Sequence, residues 1–179
     1  MKKAILILLC IALPLIVLSC LERKNYVINR QGQMEKPLEL KLKDDNANMF
    51  TLVYDYQVNN IDVVRRERAK LMGIKVKRIT CQVVSYSGEE GATIDAQVKA
   101  GEQSNTDTKV ISAFRNLNLL EMAKAGNEVT IPLAPDAASY IDEVLNADKQ
   151  LTLAVVGEAD KPVQCRLKLK VYMDVKFGS

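Results

Sequence analysis

Val163-Gln164-Cys165-Arg166-Leu167-Lys168-Leu169-Lys170-Val171-Tyr172-Met173-Asp174-Val175-Lys176-Phe177 is the stretch that decides the fold class. Every odd position is apolar and every even position carries a polar group, without a break. A strand sends successive side chains to opposite faces, so this segment has one oily face and one wet face. A helix would wind the same residues around its whole circumference. A strand of a parallel sheet, covered on both sides, would be apolar throughout. The segment therefore predicts an antiparallel sheet with core on one side and water on the other.

The same period recurs upstream. Leu38, Leu40 and Leu42 alternate with Glu39, Lys41 and Lys43, and Phe50 to Val58 is rich in aromatic and β-branched residues. Ile74 and Val76 share one face, but Ile79, Cys81 and Val83 share the other, which predicts a β-bulge near Arg78. Ala92, Ile94, Ala96 and Val98 alternate after the turn Ser87–Gly91, predicting a hairpin with the preceding strand. Lys109–Phe114, Glu128–Leu133 and Leu151–Gly157 add further strands. Asn59–Gly73 breaks the pattern and reads as a short helix or irregular crossover, with Asn60 able to cap and Gly73 to terminate. Arg115–Gly126 is open between irregular chain and a short helix. Pro135–Asp148 predicts a helix with Ile141, Val144 and Leu145 as its apolar stripe. About seven or eight strands with one or two short helices predict an antiparallel immunoglobulin-like β-sandwich, following an N-terminal signal helix. The buried Trp that marks many immunoglobulin domains is missing, since the chain has no Trp.

The first residues are of another kind. Met1-Lys2-Lys3 precedes an uncharged apolar run from Ala4 to Leu18, the order of a secretory signal. A spanning helix needs about 20 apolar residues, and Pro14 interrupts this shorter run. Val17-Leu18-Ser19-Cys20 closes it, and this tetrapeptide resembles the lipobox of bacterial lipoprotein precursors. The resemblance covers about the first 20 residues. It implies cleavage before Cys20, a diacylglyceryl thioether on Cys20, and often a further acyl chain such as palmitate on the new amino group. Two or three chains give stable attachment where one gives only marginal attachment. In enteric-type bacteria Asp after the lipidated Cys marks inner-membrane retention, so Leu21 points to the outer membrane where one exists. The implied organisation is a signal peptide over 1–19, a lipidated Cys and flexible tether over 20–36, and a sandwich domain over 37–179. Tyr26-Val27-Ile28 also fits a short edge strand.

Removing residues 1–19 from the 179 leaves 160, the size of one domain. Two of the 25 basic residues and none of the 22 acidic ones lie in the signal, so the remainder is nearly neutral and carries no nucleic-acid signature. There is no His, the commonest general base and metal ligand. No cofactor or metal motif occurs. Of four Cys, Cys10 leaves with the signal and Cys20 is the lipid site, leaving Cys81 and Cys165. In an exported compartment these fit either a disulfide or two buried thiols.

Arg65, Arg66, Arg68, Lys70, Lys75, Lys77 and Arg78 form a basic run relieved only by Glu67. It suits an anionic surface such as lipid headgroups, or simply a solvated face. Arg166, Lys168, Lys170 and Lys176 read as a solvated face, or as lysines that guard an edge strand against pairing. Asp44-x-Asn46-x-Asn48 opens like a calcium loop but has Met49 and Asp55 where Gly and Glu belong, so it reads as a turn. Glu89-Glu90, between glycines, lacks the burial that tunes catalytic carboxylates. Tyr172, on the polar face of the last strand, is a candidate contact anchor. The reading that follows is a membrane-tethered, non-enzymatic binding or envelope-assembly module meeting another envelope protein or an extracellular ligand. A lipid carrier with a slot between the sheets, or a hydrolase working through carboxylates, are the alternatives.

Overall fold

A computed structural model describes residues 27–42, 49–102 and 108–178. Eight strands run in chain order: β1 (Val27–Leu42), β2 (Met49–Gln57), β3 (Lys70–Gly88), β4 (Thr93–Gly101), β5 (Lys109–Asn118), β6 (Val129–Ile131), β7 (Gln150–Ala159) and β8 (Val163–Gly178). A 3-10 turn (Val58–Asn60) and helix α1 (Asp62–Arg66) join β2 to β3. Helix α2 (Leu119–Ala125) precedes β6, and α3 (Ala137–Asp148) precedes β7.

The strands form two four-stranded sheets, β1-β8-β3-β6 and β2-β7-β4-β5, every pairing antiparallel. The pairs nest: β1 with β8, β2 with β7, β3 with β6 and β4 with β5. This is one long antiparallel ribbon rolled into two layers, the jelly-roll arrangement. The antiparallel sandwich thus agrees with the sequence, but the immunoglobulin-like strand order does not. That order would set the first strand beside the second, whereas Val27 here lies opposite Gly178. The hairpin expected between Ile74–Tyr86 and Ala92–Val98 is corrected as well, because β3 and β4 belong to different sheets. The glycine-rich link, with Gly91 at φ +74°, carries the chain across the sandwich instead of folding it back in-plane.

The last strand behaves as its alternation demands. Val163, Cys165, Leu167, Leu169, Val171, Met173, Val175 and Phe177 are all buried. They face Ile94, Val98, Leu151, Leu153 and Val155 of the second sheet in one continuous core. Each fully buried aliphatic side chain is worth roughly 1.5–3 kcal/mol against exposure. The bulge near Arg78 is present as a register shift between Val76 and Arg78, with two more at Leu71/Gly73 and Val83/Ser85.

One segment is longer than expected. Val27–Lys36, read from sequence as tether, is strand, paired residue for residue with Leu169–Gly178. Its polar composition hid it: Met34 is buried and Ile28 and Gly32 half-buried, but Arg30 and Lys36 on the same face stay exposed, so no apolar period shows. Gly73, expected to end a helix, lies within β3. The segments 1–26, which hold the signal and Cys20, and 43–48, which hold the whole Asp44–Asn48 turn, lie outside the described residues.

Candidate functional site

Helix α3 buries Ala137, Ile141, Val144 and Leu145 and closes one open side of the sandwich. β6 is so short that the edge of β3 before Ile79 has no strand beside it. Two side chains of α3 take that place. Asn146 Oδ1 accepts from Ile74 N–H at 2.9 Å, and Asn146 Nδ2 donates to Ile74 O at 2.8 Å. Asp142 Oδ1 accepts from Val76 N–H at 2.6 Å. An edge that would otherwise invite pairing is sealed by a helix.

The two outer faces differ in chemistry. The face of β1, β8 and β3 is a lattice of charge. Arg166 meets Glu39 at 3.0 Å, Lys168 meets Glu35 at 3.7 Å, and Lys77 meets Asp174 at 2.8 Å. At its centre Glu128 receives Lys170 Nζ, Tyr172 OH at 2.8 Å and Thr80 Oγ1 at 3.0 Å, while Arg78 stacks on the Tyr172 ring at 4.5 Å. The ammonium of Lys170 first, then the Tyr172 hydroxyl, hold the Glu128 carboxyl down to about 2. Tyr172 is therefore engaged within the fold instead of standing free. The charged strand β8 is central, so its lysines do not serve as edge guards.

The outer face of β2, β7 and β4 is nearly neutral. Thr51, Val53, Thr152, Ala154, Val156 and Gln97 adjoin one another in register there. Val53 is 57 % exposed, and neighbouring Met49 is 76 % exposed. The row Thr51, Val156 and Gln97 is uncharged, and charge enters in the rows around it: Lys99 lies opposite Ala154, Asp55 is tied to Thr152 at 2.6 Å, and Asp95 faces Glu158.

Between the sheets an apolar slot of about 130 Å³ opens beside β6, lined by Leu38, Ala96, Phe114, Met122, Ile131 and Leu169 among others. A larger cleft of about 640 Å³ lies along the free edge of β1, between it and α1.

The sequence-predicted residues separate into groups. Arg65 and Arg66 lie on α1 and share Asp62. Arg68 and Lys70 follow at the same end of the sandwich. Lys75 and Lys77 stand apart from them on β3, within the charged lattice. Cys81 and Cys165 are both free thiols on adjacent strands, Cys81 opposite Leu169 and Cys165 opposite Tyr86. Four residues of strand separate them, about 13 Å, far beyond the ~7 Å a disulfide tolerates. Of the two readings the structure has the free thiols, Cys81 half-buried and Cys165 buried, which desolvation pushes up to about 11 at Cys81 and about 12 at Cys165. Thiols so protonated are poor nucleophiles. Glu89 and Glu90 are exposed, and the fold uses their backbone carbonyls, which accept from Tyr86 OH and Lys161 Nζ. Among the described residues no three His, Cys, Asp or Glu side chains converge as a metal site.

Sequence reasoning missed Glu128, Asp142, Asn146 and the neutral face. Glu128 had no signal beyond its place at a strand start. Asp142 and Asn146 are one helical turn apart on a single face, a spacing that fits a shared task.

No protein-family model matches the chain, and no curated protein is similar to it in sequence. Among solved structures it is similar to the decameric BFDV capsid protein, at 7 % identity and a TM-score of 0.39, over 84 % of this chain and 99 % of that one. A likeness of that grade carries no argument about function.

Proposed function

We propose that the chain is a bacterial lipoprotein, held at the outer membrane through lipid on Cys20, whose sandwich is a non-enzymatic binding module meeting another envelope protein. The observation that carries the binding reading is the neutral outer face of β2, β7 and β4. There the uncharged row Thr51, Val156 and Gln97 lies between exposed Val53 and Met49, with Lys99, Asp55, Asp95 and Glu158 in the surrounding rows, and a charge-poor centre within a charged surround is the anatomy of a protein interface. A small molecule takes a concave pocket of roughly 300–1,000 Å³, and the depression on this face, about 310 Å³ beside Met49, Gln97 and Val156, stands at the bottom of that range. The inter-sheet slot, at about 130 Å³, falls short of that range and weighs against a lipid carrier. The exposed Glu89–Glu90 pair gives a carboxylate hydrolase no support. The anchor reading rests on Val17-Leu18-Ser19-Cys20.

Two measurements test it. A photo-cross-linking residue at Val53 is expected to give one discrete adduct in intact cells, absent with Ala154→Arg, while the same probe at Arg166 gives none. Equal labelling from both positions, or none from Val53, removes the binding face. Cys20→Ala is expected to release the protein from membranes, and retention would favour an uncleaved helix. Protease shaving of intact cells then tells which side of the outer membrane the domain faces.

A further inference from the structure

We propose that the end of the sandwich where β1 begins is a docking base for anionic lipid headgroups. The register sets Val27 and Lys70 on either side of Gly178, and Gly73 and Asn29 on either side of Lys176. Helix α1 packs against β1 at Gly32, where a Cβ would lie 3.0 Å from Ile61 Cγ2 and 3.3 Å from Val63 Cγ1. The β1 start, α1, and the start of β3 are thereby gathered at one end, and Arg30 and Arg66 line the same cleft there.

Among the described residues that end carries Arg30, Arg65, Arg66, Arg68, Lys70 and Lys176, with Lys149 beside them, against Asp62, Glu67, Glu102 and Asp148. Among the described residues the opposite end carries Glu89, Glu90, Asp95, Glu158 and Asp160 against Lys41, Arg115 and Lys161. The domain is thus polarised along its strands. Two apolar side chains stand among the bases, Val27 at 53 % exposure and Met72 at 61 %. Met72 is not loose, since its Sδ lies over Gly178. Exposed apolar groups ringed by Arg and Lys are the chemistry of a surface that settles into headgroups.

The proposal rests on the lipid-anchor reading for proximity. Seven residue steps separate Cys20 from Val27 and span at most about 25 Å. A lipid on Cys20 therefore holds this end, and no other, close to the membrane surface, where fields persist over about 8–10 Å. Docking would stand the strands upright on the membrane and leave the neutral face of β2, β7 and β4 open to a partner.

The chain has no Trp, so Met72→Trp in the full chain makes a sole reporter. The protein is reconstituted with vesicles of phosphatidylcholine alone or mixed with phosphatidylglycerol. The expected result is a blue-shifted, acrylamide-protected emission on the mixed vesicles only, reversed by salt. Replacing Arg65, Arg66, Arg68 and Lys70 with Gln abolishes it, by roughly fivefold in partitioning per residue. Lys161→Gln at the far end leaves it intact. Val27→Trp is the second reporter should Met72→Trp disturb the fold. The mass of the Cys20 peptide and flotation on phosphatidylcholine report the anchor separately. A lipidated chain that floats on both vesicles with the same emission overturns docking and leaves the anchor standing. An unmodified Cys20 with flotation on mixed vesicles only leaves docking and removes the anchor. Neither lipid nor flotation ends both.

Discussion

Glu128 is the residue on which the charged face converges. Its carboxyl, ordinarily near 4.5, is held down to about 2 in the folded chain by Lys170, Tyr172 and Thr80. A depressed carboxyl stabilises the fold above its unfolded value and loses that contribution as pH falls toward the folded one. Glu128→Gln is therefore expected to cost about 1 kcal/mol at neutral pH and to flatten the stability curve between about 4.5 and 2. Urea denaturation across that range, showing the same slope in both proteins, would refute the assignment. Tyr56 is the opposite case. Its hydroxyl is buried, burial raises its pKa, and it has no partner among the described residues. Tyr56→Phe is expected to leave stability unchanged or raise it by up to about 1 kcal/mol. A loss larger than that would show that the hydroxyl is bonded. Neither role was legible in the sequence, because Glu128 depends on partners forty or more residues away and the isolation of the Tyr56 hydroxyl depends on how the core packs around it.

At the scale of the element, what was legible was each strand's own period, and what was not was its neighbour. The alternation of Val163–Phe177 gives the strand and its buried face directly. The bulge near Arg78 follows from the phase change between Val76 and Ile79. Pairing leaves no such mark, so β3 and β4 were read as a hairpin although they lie in different sheets. Polar Val27–Lys36 passed for tether because a strand that is half uncovered has no apolar period to show. The sealed edge of β3 is the element-scale device that most needs testing. Asn146→Ala would strip Ile74 of both its donor and its acceptor partner, and is expected to cost about 1–3 kcal/mol. Hydrogen exchange at the Ile74 amide should accelerate while β8 amides stay slow, and unchanged protection there would rule the cap out. Gly157→Ala would place a Cβ 2.9 Å from Ala96 Cα across the β4–β7 ladder. With backbone on the far side, the strands must part, at about 1–3 kcal/mol.

On the scale of the whole molecule, the nested pairing makes β8 the strand on which the first sheet is built. It is last in the chain, yet central between β1 and β3, and its buried face supplies much of the core. A core closed in this way leaves little room for cargo, and this separates a binding module from a carrier. The slot beside β6 measures about 130 Å³ and is lined entirely by carbon-rich side chains, so it resembles a packing void more than a binding site. Ala96 points into it, and Ala96→Val, adding only two methyl groups, is expected to leave the fold at least as stable as before. A fluorescent long-chain fatty acid is expected to show no saturable enhancement with either protein. Saturable binding to the wild-type chain that Ala96→Val weakens would mean that the sheets part around an acyl chain. In that event the slot, and not the neutral face of β2, β7 and β4, would be where the protein meets its ligand.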